Sequence, residues 1–278
     1  MATTTETATP GPSLTFNQTA RGITDFIEVA IHTILYVRQI YPAELFIRRK
    51  KYDAPVFQSR HPTLNAYIGG AVQAVREELL KGNLDKMIVV IKNKDEEALE
   101  RFIFSVENMI QVEKFDKDTR SSALVIIQRT EIDRRSLSVE GAMSSLSLGQ
   151  YFRSFLVKLN MIEAQLGQMY LGGTCTYSKL YGQRLSPADE VSFAIIIELK
   201  DGLKPSTIEG SNEPPPWIPA DKQHTTTGAS EDAELHTVRS VSTGIINLSL
   251  VVQESDVKLS LSSDVPVATT DKGKSKAP

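Results

Sequence analysis

A single cysteine, Cys175, stands in 278 residues. One thiol excludes an intramolecular disulfide and any zinc site built from several cysteines, and it fits a reducing compartment, cytosol or nucleus. Neither sign of charge dominates, the formal net charge being −3. That balance gives no pull toward nucleic acid or an anionic membrane, whereas a direct DNA binder usually carries a strongly basic domain. It favours protein partners and argues against sequence-specific nucleic-acid binding. No uninterrupted apolar run approaches the ~20 residues that span a bilayer. The Thr-rich start, Met1 to Pro12, lacks the basic-then-apolar pattern of a signal peptide. Together these absences predict a soluble intracellular protein that does not engage membranes.

Chemical signatures are missing too. GxSxG, P-loop, GxGxxG and HExxH motifs are absent, and with them the local signs of the commonest hydrolases, nucleotide binders and zinc enzymes. His32, His61, His224 and His236 sit far apart, so each is expected to be a surface or capping residue. No metal, no cofactor and no catalytic residue are expected.

What is present reads as one α+β domain with a single hydrophobic core. Residues 1–15 form a Thr/Pro-rich leader with a disordered composition. From about Gln18 apolar residues recur at helical spacing (Ile23, Phe26, Ile27, Ala30, Ile34, Val37), and Tyr41-Pro42 ends the run. Val29, Ile31 and Leu35 fill the other side, so this helix should be buried nearly all round. A second helix should start at His61-Pro62 and stop at Gly82. The β-branched run Lys86 to Asn93, a polar turn at Lys94 to Glu97 and the alternating run Leu99 to Val106 predict a hairpin. A third helix is expected over Ser145 to Leu166, followed by strands at Val191 to Leu199 and Ile245 to Val252. Mixed-charge sequence near 110–140 and a Gly/Tyr-rich stretch near 170–188 read as insertions. Residues 255–278 read as a disordered tail. The one tryptophan, Trp217, lies in a polar, Pro-rich region, where it should anchor an irregular segment or a ligand. Arg48-Arg-Lys-Lys51 reads as a solvated corner, a phosphate patch or an import signal.

Two stretches carry a family resemblance. Ile34-Leu-Tyr-Val-Arg-Gln-Ile-Tyr-Pro42 resembles the first helix of HORMA-domain proteins. Its continuation, with Arg49-Lys-Lys-Tyr52 and His61-Pro-Thr-Leu-Asn-Ala-Tyr-Ile68, is similar to the accessory subunits of translesion DNA polymerase zeta, as is Pro216-Trp-Ile-Pro-Ala-Asp221. The resemblance covers roughly residues 18–254. It implies one HORMA domain over 16–254: three long helices packed on a mainly antiparallel sheet form a core of about 16–201, and a C-terminal safety belt spans about 202–252. In such a fold the belt closes over a partner peptide that adds a strand to the sheet edge.

The implied function is that of a non-enzymatic adaptor in the nucleus or cytoplasm. It would link the catalytic subunit of DNA polymerase zeta to other translesion and repair factors. A spindle-checkpoint-type HORMA protein binding mitotic regulators is the alternative. By position, Tyr41, Tyr67 and Trp217 match the family's aromatic peptide clamp, with Pro219 in place of a family leucine. Arg153, Arg48, Gln39 and Ala164 match residues that join HORMA protomers, implying a homodimer or a pairing with another HORMA protein. Leu235 matches one residue of the surface for the scaffold translesion polymerase's C-terminal domain. Ser249 and Val251 replace the other two, so that contact would be rewired.

Overall fold

The structure is a computed structural model and describes residues 12–109, 143–166, 169, 191–206, 217–220, 233–256 and 258. Helix α1 spans Phe16–Val37. Thr15 opens it: its hydroxyl accepts from the Gln18 amide while the Gln18 side chain accepts from the Thr15 amide, a reciprocal cap that satisfies two otherwise orphaned donors. The helix ends four residues before Tyr41. Gln39 adopts a left-handed φ of 54°, and the Gln39 and Ile40 amides return to the carbonyls of Tyr36 and Leu35. This double return is the usual glycine termination motif, executed here by a glutamine. The expected all-round burial holds. Phe16, Ile23, Phe26, Ile27, Ala30 and Ile31 are fully buried, each large one worth ~1.5–3 kcal/mol.

After a single 3-10 turn, Ala43–Leu45, a hairpin of β1 (Phe46–Lys51) and β2 (Ala54–Ser59) forms a separate two-stranded sheet. Helix α2 follows at Pro62–Lys81. His61 caps it through its ring nitrogen, and Gly82 closes it at φ 81°. Strands β3 (Leu84–Asn93) and β4 (Ala98–Asn108) make the expected hairpin.

Helix α3 covers only Ser145–Asn160, and a short α4 (Glu163–Leu166) follows the break. The Asn160 side chain donates to the Leu156 carbonyl at 2.7 Å, competing with helix continuation. Ile162 and Leu166 stay buried, so the apolar stripe survives the interruption. Strand β5 is Val191–Leu199, as expected. Strands β6 (Glu234–Ser242) and β7 (Ile246–Glu254) close the described chain.

These strands form one antiparallel five-stranded sheet in the order β5-β3-β4-β7-β6. Alternation along each strand sends Met87, Val89, Ile91, Phe102, Phe104, Leu248, Leu250 and Val252 into the helix-packed core. The opposite face holds a small cluster of Ile88, Val90, Ala98 and Ile196. The centre of the main core is aromatic. Phe26 stacks on Phe152 with centroids 4.5 Å apart and meets the edges of Phe155 and Phe104. The α+β reading with three long helices therefore stands.

Several local expectations change. The basic run is strand, with Arg48 to Lys51 exposed along β1. Part of the expected leader is tied down, because Ser13 bridges Ser144 and the Leu14 amide donates to Met143. The start of the expected tail is also tied down, with Ser255 and Lys258 buried. His32 is a core residue, 4% exposed, rather than a surface one. The insertions near 110–140 and 170–188, His224 and Cys175 lie outside the described residues, as do most of the leader and tail.

Candidate functional site

Among the described residues, strand β5 ends the sheet, with only β3 beside it. An end strand turns alternate amides and carbonyls outward, where another strand can pair with them. Odd-numbered residues of β5 face the helices, so Val191, Phe193, Ile195 and Ile197 belong to or pack on the main core. Phe193 gathers the aromatics of this edge. Tyr41 meets its ring at 6.2 Å and 88°, and Tyr67 meets it at 5.7 Å and 74°.

Tyr67 stands on α2 and is 47% exposed. Its hydroxyl accepts a hydrogen bond from the Ile195 amide at 3.4 Å. A long bond of this kind is weak and easily exchanged. Burial, then the neighbouring Tyr67 phenol, pushes the Tyr41 hydroxyl above its ordinary pKa. This corner can take an extended segment against β5 and offer it aromatic faces and phenol hydroxyls.

Of the belt expected over 202–252, the described parts are 202–206, 217–220 and 233–252. Trp217 packs on the main core and is partly buried, while Ile218 is 88% exposed and Pro219 is also exposed. The Trp217 indole nitrogen is buried with no hydrogen-bond partner among the described residues. The structure thus brings Tyr41 and Tyr67 together through Phe193. Among the described residues it records no ring contact between either tyrosine and Trp217. Phe193 escaped the sequence reading, where it was one apolar residue in a run of nine.

The remaining expected positions are dispersed. Arg153 is exposed on α3, near enough to Asp53 at the β1–β2 turn to help Lys50 hold that carboxyl below its usual range. Arg48 on β1, Gln39 after α1 and Ala164 on α4 are all exposed. Leu235 is 63% exposed on the edge strand β6, paired with Gln253. Ser249 and Val251 are half-buried on β7, two residues apart and so on one face with Gln253.

A buried ionic cluster secures the β6–β7 hairpin. Arg38, the C-cap of α1, forks onto Glu100 of β4 with contacts of 2.9 and 2.6 Å. Lys258 reaches Glu100 at 2.5 Å, the Leu166 carbonyl at 2.7 Å, and Glu254. His236 contacts the second oxygen of Glu254 at 2.8 Å, with Glu234 3.8 Å away. Glu234, His236 and Glu254 are close enough to surround a metal ion. The Lys258 ammonium already neutralises Glu254, however, and a second cation there would meet its repulsion. The cluster works as a structural ion network.

A HORMA domain model matches residues 20–172. The chicken (Gallus gallus) mitotic spindle assembly checkpoint protein MAD2B is 30% identical over 242 residues, 87% of this chain and 93% of that protein. The DNA polymerase zeta processivity subunit of Schizosaccharomyces pombe is 44% identical over 85 residues, covering 31% of this chain and 40% of that protein. Among solved structures, Caenorhabditis elegans HTP-2 bound to the HIM-3 closure motif aligns with a TM-score of 0.58 at 11% identity, over 92% of this chain and 98% of that one. A chain of the mitotic checkpoint complex aligns at 0.55 with 19% identity, over 85% and 98%. With the family model across more than half of the sequence and a relative matched nearly end to end, this chain belongs to the HORMA-domain family.

Proposed function

We propose that the protein is a non-enzymatic adaptor that captures a partner peptide along the outer edge of β5, beneath a belt formed by residues about 202–252. One observation carries this reading: among the described residues β5 has an edge with no strand beside it, flanked by Phe193, Tyr41 and a half-exposed Tyr67. Strand addition draws affinity from the backbone and selectivity from the side-chain pockets. A belt closed over the ligand slows release. Trp217 supplies the belt's anchor, and its unused indole N–H is a donor that a peptide carbonyl would satisfy. The S. pombe relative's name and the PWI segment favour the catalytic subunit of DNA polymerase zeta as the partner. The scaffold translesion polymerase would act on the far edge at Leu235. Such work places the protein in the nucleus. MAD2B-named relatives keep a checkpoint-type partner as the second reading.

The test is binding of a Pro-containing peptide from the polymerase catalytic subunit, followed by surface kinetics. Tyr67→Ala and Trp217→Ala should each weaken binding about thirtyfold, ~2 kcal/mol, mainly through faster dissociation. Their losses should not add, because both act on one ligand. A folded double variant that binds at full strength places the capture site elsewhere. If affinity purification from source cells recovers only mitotic regulators, the checkpoint reading replaces the polymerase one.

A further inference from the structure

The last turn of α2 holds a carboxylate that stability alone does not explain. Glu78 is 1% exposed and sits three residues before the helix end at Lys81, where the negative pole of the helix dipole disfavours an acid. Buried carboxylates are normally paired with a cation. Among the described residues Glu78 makes no ion pair, and its partners are neutral donors. The Asn83 side chain donates to Oε2 at 3.1 Å. The other two donors come from a single residue, Ser206: its amide donates to Oε1 at 2.6 Å and its hydroxyl to Oε2 at 3.3 Å.

Ser206 lies where the belt leaves the sheet. After β5 ends at Leu199, the Lys200 amide donates to the Asn83 carbonyl. The chain then turns through Gly202 at φ 77°, and the Leu203 amide closes that turn on Lys200. The half-buried Ser206 is the next fixed point. Of these contacts, only the one to Glu78 ties the belt's root to a charged group.

We infer that Glu78 is the positioning residue for the belt, and that its grip on Ser206 sets how long a captured peptide stays bound. The residence-time clause rests on the capture function proposed above. Hydrogen bonds to a charged acceptor are about twice as strong as neutral ones. Glu78 therefore holds the root more firmly than a neutral side chain would. Fixing Ser206 sets the belt's root in place before a peptide arrives, which lowers the ordering cost of capture.

The experiment has two arms on the full chain. In the first, hydrogen exchange is followed by mass spectrometry on the free protein. Residues 200–206 should be protected in wild type and should lose protection in Glu78→Gln and Ser206→Pro, the latter removing the donating amide. Ser206→Ala, which keeps that amide, should remain protected. In the second arm, peptide dissociation should speed up about tenfold in Glu78→Gln, equal to ~1.4 kcal/mol, with association within twofold of wild type. Ser206→Asp, which sets a second carboxylate against Glu78, should act in the same direction. A Glu78→Gln variant with wild-type melting temperature, wild-type protection and wild-type dissociation overturns the inference. Should Glu78→Gln fail to fold, Ser206→Pro decides it from the belt side. If the wild-type chain binds no peptide, the capture function fails while the exchange arm still decides whether Glu78 anchors the root.

Discussion

Replacing Glu100 by Gln should remove the centre of the ionic cluster while keeping its shape. The Glu100 carboxylate takes both arms of the Arg38 fork and the Lys258 ammonium, and the side chains of Arg38, Glu100 and Lys258 are 1%, 0% and 7% exposed. Neutralising a carboxylate this deeply buried costs about 3–5 kcal/mol, because Arg38 and Lys258 lose the negative charge they share. Against a typical domain stability of ~5–15 kcal/mol, that is about a fifth or more. Lys258→Met should cost less, about 1.5–3 kcal/mol, since Glu100 keeps Arg38 and Glu254 keeps His236. The double variant should fall short of the sum, with a coupling of ~0.5–3 kcal/mol. Urea denaturation at neutral pH gives all three numbers, read as midpoint shifts at constant slope. A Glu100→Gln protein within ~1 kcal/mol of wild type would show that water reaches these charges and refute the argument.

Arg153→Ala should reduce self-association and leave peptide binding intact, since Arg153 is exposed while its neighbours Phe152 and Leu156 face the core. Sedimentation velocity checks it, and equal dimer content in both proteins counts against it. Burial lowers the His32 pKa from 6.5 to about 4. Its contribution to stability is complete above pH 6.5 and is lost as pH falls toward 4, about 3 kcal/mol in all. Denaturation across that range should show the loss, and His32→Leu should flatten it. The homogeneous chain should hydrolyse no nucleotide and extend or cleave no DNA, and turnover abolished by a point substitution would disprove that.

Helix α1 was legible from its apolar period, α2 from its period, its Pro62 start and its Gly82 stop, and β5 from its β-branched run. The β1–β2 hairpin was not, since four consecutive cations show no alternation even though Phe46, Ala54 and Val56 are buried on it. Strand β6 hid for a related reason. A register shift between Thr237 and Arg239 breaks the two-residue period that would have joined Leu235 to Val241. His32 could have been anticipated, because a helix apolar nearly all round leaves its occasional polar residue no surface to reach. Tyr41 and Tyr67 were named from resemblance alone, and spacing says nothing about the strand 126 or more residues later that unites them through Phe193. Glu78 was invisible, because its meaning comes from Ser206, 128 residues away.

The order of the strands also governs when the protein can become itself. Strand β4 lies in the middle of the sheet, yet its neighbour β7 is made about 140 residues later, and Lys258, which neutralises Glu100 on β4, comes later still. On a ribosome adding roughly 5–20 residues each second, the apolar β3–β4 hairpin is therefore exported with one long side bare for several seconds. During that interval it is a template for any passing strand. Synthesis of this chain should lean on chaperones that shield nascent sheet edges, and stalled products ending before Ile246 should be the aggregation-prone species in the cell.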